Sequence, residues 1–187
     1  MNHDDATRLF YALIWPHRAM VLRTARFLTR NHAEADDLAQ ETLVKAFKSI
    51  SRFDASSNAK GWVSAILRNA WIDRLRAGGR HGAVLSVEEH EVDVPVGAGV
   101  AEMDVEDPAA MLEQFSDVDM VRALKKLPEE IRWTLLLVDV EGLEHGQAAE
   151  ILDVPEGTVK SRAYRGRRMM REHLMAGRVE NSSQEDM

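Results

Sequence analysis

Between Gly157 and Arg171 the chain carries six cations, Lys160, Arg162, Arg165, Arg167, Arg168 and Arg171, and no acid. Cations at this density neutralise phosphates, and the planar fork of arginine can hold the paired acceptors on a guanine edge. The chemistry they offer is recognition, with no bond made or broken. The surrounding stretch, LEHGQAAEILDVPEGTVKSRAYRGRRMMREHL from Leu143 to Leu174, supplies a frame for them. Its pattern predicts a helix over 144–152 with Ala148, Ala149, Ile151 and Leu152 as packing positions. Asp153-Val154-Pro155 breaks that helix, because Pro155 disfavours helical geometry at Val154 and suits the first turn of a new helix. The new helix, over 156–175, opens on the small pair Gly157-Thr158 and continues basic. Two helices around a tight turn, the second of this character, fit a DNA major groove. A helical hairpin with a solvated basic face is the weaker reading, since the cations follow the turn directly.

Other residue clusters suggest less. Asp36, Asp37 and Glu41 could in principle hold magnesium or act as an acid–base pair. They lack a neighbouring histidine or a glycine-rich phosphate loop, and carboxylates in the first turns of a helix ordinarily complement its dipole. The seven histidines show no metal-ligand spacing. Ser56, Ser57 and Ser161 lack the context of a nucleophile elbow, and there is no cysteine. The sequence therefore predicts no catalytic residue, no metal and no cofactor; the chain reads as a non-enzyme. A second nucleic-acid signal lies in Arg52–Arg80, where cations accompany Phe53, Trp62, Trp71 and a small polar loop. Exposed aromatics beside cations stack on unpaired bases, and serine or asparagine can hydrogen-bond base edges. The same aromatics could equally be core, Phe53 stapling the loop and Asn69 bonding backbone. Chemistry alone leaves both readings open.

The elements that must position these groups are all helical. A first helix over 5–29, bent near Pro16, would bury Phe10, Leu13, Ile14, Val21, Leu22, Ala25 and Leu28. Asn31 and Glu34 form a capping-box pair opening a helix over 32–50. One side of that helix carries Ala39, Leu43, Ala46, Phe47 and Ile50; the other carries Asp37, Gln40, Glu41 and Val44 at helical spacing. The loop 54–59 leads to a helix over 60–77, with Val63, Ile66, Leu67 and Ala70 inward and Gly78-Gly79 at its end. A helix from about Ser116 through Leu127, another over 129–140 with Ile131, Leu135, Leu136 and Val138 inward, and the helix-turn-helix follow.

The net charge of −7 opposes nucleic-acid binding only until it is divided along the chain. Residues 1–80 hold 13 basic against 8 acidic side chains, whereas residues 81–118 hold 10 acids and no lysine or arginine. The acidity thus sits mostly in one segment. Stretch 81–115 mixes acids, glycine and proline without periodicity and reads as a flexible acidic linker. The fold class expected is all-α: a domain at 1–80, the linker at 81–115, a helix-turn-helix domain at 116–177 and a disordered tail at 178–187. No apolar run approaches the ~20 residues of a membrane span, and the polar, acidic N-terminus is unlike a secretory signal. A cytoplasmic protein without direct membrane insertion is expected.

Three motifs, ADDLAQETLVKAF at Ala35–Phe47, GWVSAILRNAWIDRLR at Gly61–Arg76 and VPEGTVKSR at Val154–Arg162, together resemble a bacterial sigma factor. The resemblance is to the extracytoplasmic-function (ECF) group, the minimal two-domain members of the sigma-70 family, and covers residues 5–80 and 116–176. It implies that Asp37, Gln40 and Glu41 dock on the clamp helices of the RNA polymerase β′ subunit, with the β flap as a further polymerase contact. It implies that Phe53, Ser56, Ser57, Asn58, Lys60, Trp62 and Asn69 serve the −10 promoter element as a single strand, capturing a flipped base. Gly157, Thr158, Lys160, Ser161, Arg162, Arg165 and Arg168 would read the −35 element as duplex, Lys160, Arg167 and Arg168 mostly at phosphates. An anti-sigma factor is a further implied partner, and the linker would thread near the polymerase active-site and RNA-exit channels. The chain departs from the family at Glu144-His145-Gly146, where an aromatic and acidic pair is usual, and at Ala39, which is smaller than the usual branched residue. The rival readings are a sigma mimic that sequesters an anti-sigma factor and a conventional helix-turn-helix regulator.

Overall fold

The computed structural model describes residues 3–78 and 117–185, those from 177 onward as backbone alone. The expected linker, 81–115, and the expected start of the second domain at Ser116 lie outside the described residues. Every described element is helical, and the elements form two domains.

The first domain begins with α1 (His3–Leu9), which widens into a π-helical turn over Phe10–Ile14, tightens into a 3₁₀ turn over Trp15–His17, and resumes as α2 (Arg18–Leu28). Pro16 lies at the narrow point, where its missing N–H and its ring forbid a regular helical ladder. The single bent helix expected from the sequence is thus two helices joined by irregular turns. Helix α3 (His32–Ser49) starts at Asn31, whose Oδ1 accepts the Glu34 N–H at 2.9 Å. The Glu34 carboxylate reaches back to the Arg30 N–H rather than to that of Asn31, so the predicted box closes one residue early. Helix α4 (Ala59–Ala77) starts at Asn58, whose side chain accepts the Gly61 N–H at 3.2 Å. Helices α2, α3 and α4 pack together around Ile14, Val21, Leu38, Ile50, Val63 and Leu67, all fully buried.

The second domain contains α5 (Asp117–Lys126), α6 (Glu129–Leu135) with a π-helical extension over Leu136–Val140, α7 (His145–Leu152) and α8 (Glu156–Glu185). Helix α6 ends at Gly142, whose φ of +64° is open to glycine and strained for side-chain-bearing residues. The Leu143 N–H then turns back to the Leu137 carbonyl at 2.9 Å. Helix α7 opens with a capping box in which Glu144 accepts the Gln147 N–H and Gln147 accepts the Glu144 N–H. The departure Glu144-His145-Gly146 therefore still supplies a capped helix start. Helix α8 buries Val159, Ala163, Gly166, Met170 and Leu174, a stripe at helical spacing, against α5, α6 and α7. At Gly166 the approach is close: an added Cβ would stand 2.7 Å from Ile131 Cγ2 and 3.0 Å from Leu135 Cδ1. The backbone of α8 continues helically to Glu185, where the sequence reads a disordered tail from 178.

Candidate nucleic-acid and polymerase interfaces

The helix-turn-helix is formed by α7, the turn Asp153–Pro155 and α8. Asp153 ends α7 in the left-handed conformation, φ 57° and ψ 49°, one of the few side chains that tolerates it. The carbonyl of Pro155 then accepts from Thr158 and Val159, so Pro155 stands immediately before α8 rather than within its first turn. Because the buried stripe of α8 is fixed by Val159, Ala163 and Gly166, the opposite face is fixed too. Gly157, Ser161, Tyr164, Arg165 and Arg168 are exposed there. Thr158 and Arg162 are half-buried at one margin.

Of the predicted −35 residues, Gly157, Ser161, Arg165 and Arg168 share this outward surface, Thr158 and Arg162 border it, and some are engaged locally. Lys160 pairs with Glu156 at 2.7 Å, and its hydrogen bond holds that carboxyl below the usual range. Ser161 donates to the Thr158 carbonyl at 3.0 Å, and Arg168 lies 3.7 Å from Glu172. Arg167 is placed differently from its expected phosphate role. Both of its hydrogen bonds go to Asp139, at 3.0 and 2.7 Å, fastening α8 to the end of α6. Tyr164, 61% exposed between Ala163 and Arg165, belongs to the outward surface and was absent from the expected set. The signal that finds it is the period of the buried stripe, which places residue 164 outward.

The −10 candidates separate. Phe53 is buried and packs on Trp62, ring centroids 4.9 Å apart, so it is core and offers no face to a base. This corrects its predicted role: loop 54–59 needs an apolar anchor where it leaves the 3₁₀ turn after α3, and Phe53 supplies it. The loop itself is exposed and internally bonded. Ser56 donates to the Asp54 carboxylate at 2.8 Å, its N–H donates to Asp54 Oδ1 at 2.9 Å, and Ser57 donates to the Asp54 carbonyl at 2.7 Å. The Ser56 bonds, backbone foremost, hold the Asp54 carboxyl below its ordinary range. Asn58 is spent as the cap of α4. Asn69 is exposed, whereas Lys60 reaches away from the loop to Glu141 of the second domain, 3.6 Å from its carboxylate.

Along α3, Asp37 and Gln40 are exposed, and Val44 beside them is 44% exposed. Glu41 is half-buried and held at 2.9 Å by Lys45 and 2.8 Å by Arg74 of α4. Burial opposes its ionisation, but those two hydrogen bonds outweigh it and hold its carboxyl below the ordinary value. The expected face is thus present, with Glu41 also clamping α3 to α4. Among the described residues no cluster of histidine and acidic side chains could hold a metal ion, and no helix is long and apolar enough to cross a membrane.

Two stretches of the chain match family models, Sigma-70 region 2 over residues 13–81 and Sigma-70, region 4 over residues 118–170. The chain is 32% identical over 165 residues to the ECF RNA polymerase sigma factor SigE of Mycolicibacterium smegmatis, covering 87% of this chain and 60% of that protein. It is 32% identical over 149 residues to the ECF RNA polymerase sigma-E factor of Haemophilus influenzae, covering 78% of this chain and 76% of that one. Among solved structures it is similar to the sigma factor RpoE of Bartonella quintana, crystallised with the anti-sigma factor NepR. That likeness has a TM-score of 0.64 at 29% identity and covers 91% of this chain and 97% of that chain. A helical domain that matches Sigma-70 region 2, followed by a helix-turn-helix domain that matches Sigma-70, region 4, is a two-domain transcription initiation factor of the sigma type. The chain belongs to the ECF RNA polymerase sigma factors of the sigma-70 family. Proteins of this family are generally non-enzymatic initiation factors whose domains serve RNA polymerase and promoter DNA.

Proposed function

We propose that this chain binds core RNA polymerase through Asp37, Gln40 and Glu41 on α3, and reads promoter DNA in two forms. The observation that carries the reading is the outward face of α8. Ser161, Tyr164, Arg165 and Arg168 lie exposed on it, opposite a fully buried stripe, immediately after a three-residue turn. Arginine fits guanine edges bidentately, and the tyrosine ring can meet thymine methyls. The −35 element is read there as duplex, with Gly157 and Thr158 permitting close approach, Lys160 and Arg162 available at the margins, and Lys160 and Arg168 mostly at phosphates. Loop 54–59, Lys60, Trp62 and Asn69 serve the −10 element once it is unpaired. Melting needs no hydrolysis, since binding the open strand offsets the few kcal/mol that ejecting a base costs. The domains are 1–80 and 116–177, and the protein acts in the cytoplasm, without enzymatic activity of its own. Its polymerase contacts are the β′ clamp helices and the β flap. An anti-sigma partner is consistent with the NepR complex of the Bartonella relative.

The test is to mix the purified chain with core RNA polymerase and a promoter library and to map transcript starts. Promoter-dependent initiation above core alone is expected. Tight promoter binding with no transcription would overturn the reading in favour of a conventional helix-turn-helix regulator. Binding of an anti-sigma factor with neither polymerase nor DNA binding would favour the mimic.

A further inference from the structure

Glu141 is the one charged side chain buried among the described residues, at 2% exposure, and its carboxylate is satisfied entirely across the domain boundary. Arg23 of α2 donates to both carboxylate oxygens at 3.1 and 3.2 Å, and Thr24 donates to one of them at 2.9 Å. Lys60 at the start of α4 lies 3.6 Å from the other and also donates to the Glu141 carbonyl. The imidazole of His17 is close enough to feel both charges. A buried carboxylate needs partners of this kind, and removing them leaves it either uncompensated or in water. Glu141 has its partners only while the two domains are docked. The same interface adds two more polar contacts: Trp71 Nε1 donates to Glu129 at 3.0 Å, and Arg68 donates to the Leu152 carbonyl at 3.5 Å.

The docked boundary lies along one margin of the surfaces assigned above to promoter DNA, where Lys60, Asn69 and Arg162 stand. Lys60 is tied to Glu141. Asn69 of the first domain and Arg162 of the second line one cavity of about 480 Å³, together with Arg68 and Asp153. That space cannot admit duplex DNA, whose major groove alone is about 12 Å wide. We propose that Glu141 and the trio Arg23, Thr24 and Lys60 form an autoinhibitory latch that holds the adjoining margins of the −10 and −35 surfaces together in the free chain, so that a duplex seated on α8 meets the first domain at Arg162. Promoter DNA and the latch then compete, and the affinity of the free chain for DNA is reduced by the fraction of molecules that are open. The proposal rests on the promoter-reading surfaces assigned under the proposed function.

The test uses the full chain, with Arg23→Glu and Glu141→Gln made separately. Arg23 is half-exposed and lies in the first domain, outside every surface assigned to DNA or polymerase, and circular dichroism checks that both variants fold. Small-angle scattering reports opening, and the probe is a duplex selected from a randomised library against the unmodified chain. The expected result is a larger radius of gyration and at least about fivefold tighter duplex binding in both variants. The informative sign is a first-domain substitution that strengthens binding by the second domain, which mere structural damage would not produce. Duplex affinity equal to that of the unmodified chain in both variants overturns the latch, whether or not the scattering changes. No duplex selected by any of the three proteins would instead overturn the promoter-reading assignment beneath it.

Discussion

Arg167 and Asp139 stand 28 residues apart in sequence and meet through two parallel hydrogen bonds, at 3.0 and 2.7 Å, on the flank of the reading helix. The pair joins α8 to the π-helical end of α6. A carboxylate hydrogen bond and the negative charge raise the affinity of Arg167 for its proton, against the opposing effect of burial. Both side chains are partly exposed, so the pair contributes modestly, about 0.5–1 kcal/mol. Asp139→Asn is expected to lower the midpoint of urea unfolding by a correspondingly small amount. The freed guanidinium would also add one phosphate-directed cation and steepen the salt dependence of DNA binding by about one unit of slope. Unchanged salt slopes in titrations of the two proteins would count against that role.

Gly166 sets how closely α8 approaches α6. Gly166→Ala gains helix propensity of about 1 kcal/mol but drives a Cβ into Ile131 and Leu135, branched core side chains with no room to swing away. Overpacking of this kind costs about 1–3 kcal/mol. The expected net result is a less stable second domain, read as an earlier thermal transition, with −35 affinity falling at temperatures near it.

Arg162→Ala and Tyr164→Ala should each weaken duplex binding by about 1–3 kcal/mol if they meet base edges, with relaxed preference at single positions. Core polymerase binding should be untouched. Affinity measured across a library of single-base variants distinguishes base readout from a uniform phosphate effect.

Asp37→Ala and Gln40→Ala should show the reverse pattern, weakening association with core polymerase while leaving −35 duplex affinity unchanged. Both residues are exposed, so neither substitution should change the unfolding free energy by more than the ~0.5 kcal/mol typical of surface changes. Equal core affinity in a competition assay against the unmodified chain would remove the face from the docking assignment.

Glu41 gives a pH test. Its carboxyl is depressed in the folded state by Lys45 and Arg74, so the folded state binds a proton there less readily than the unfolded chain. Its contribution to stability is therefore present above the ordinary glutamate range and is lost as pH falls through the depressed value. Glu41→Gln should lower stability at neutral pH and narrow its difference from the unmodified chain as the pH drops into the acid range. A difference that stays constant with pH would show that packing, not charge, is what Glu41 supplies.

Much of the architecture was legible because helical periodicity reports burial directly. Most apolar positions expected inside α2, α4 and the helix from Glu129 are buried, with Leu22, Ile66 and Val138 only half-buried and Trp133 and Leu137 added, and the expected cap at Asn31 stands at the start of α3. Local reading failed where a residue's neighbour is distant in sequence. For Phe53 the residues left base stacking and a core staple both open, and the return of α4, which brings Trp62 against it, decides for core. Arg167 resembles its basic neighbours on α8, and only the return of α6 brings Asp139 to it. Tyr164 could have been placed from the buried stripe alone.

By itself, the sequence determined most of the helices, the bend at Pro16, the break at Asp153–Pro155, and the three motifs that mark the family. Those properties depend on residues within a few turns of one another. The tertiary structure decided which cations remain available to DNA and which are spent: Arg167 on Asp139, Arg74 on Glu41 and Lys60 on Glu141. Pairing of this sort is set by the packing of helices far apart in the chain, and no local pattern encodes it. Glu141 is the clearest case, an unremarkable helix-end acid in the sequence whose buried charge acquires partners only when the two domains meet.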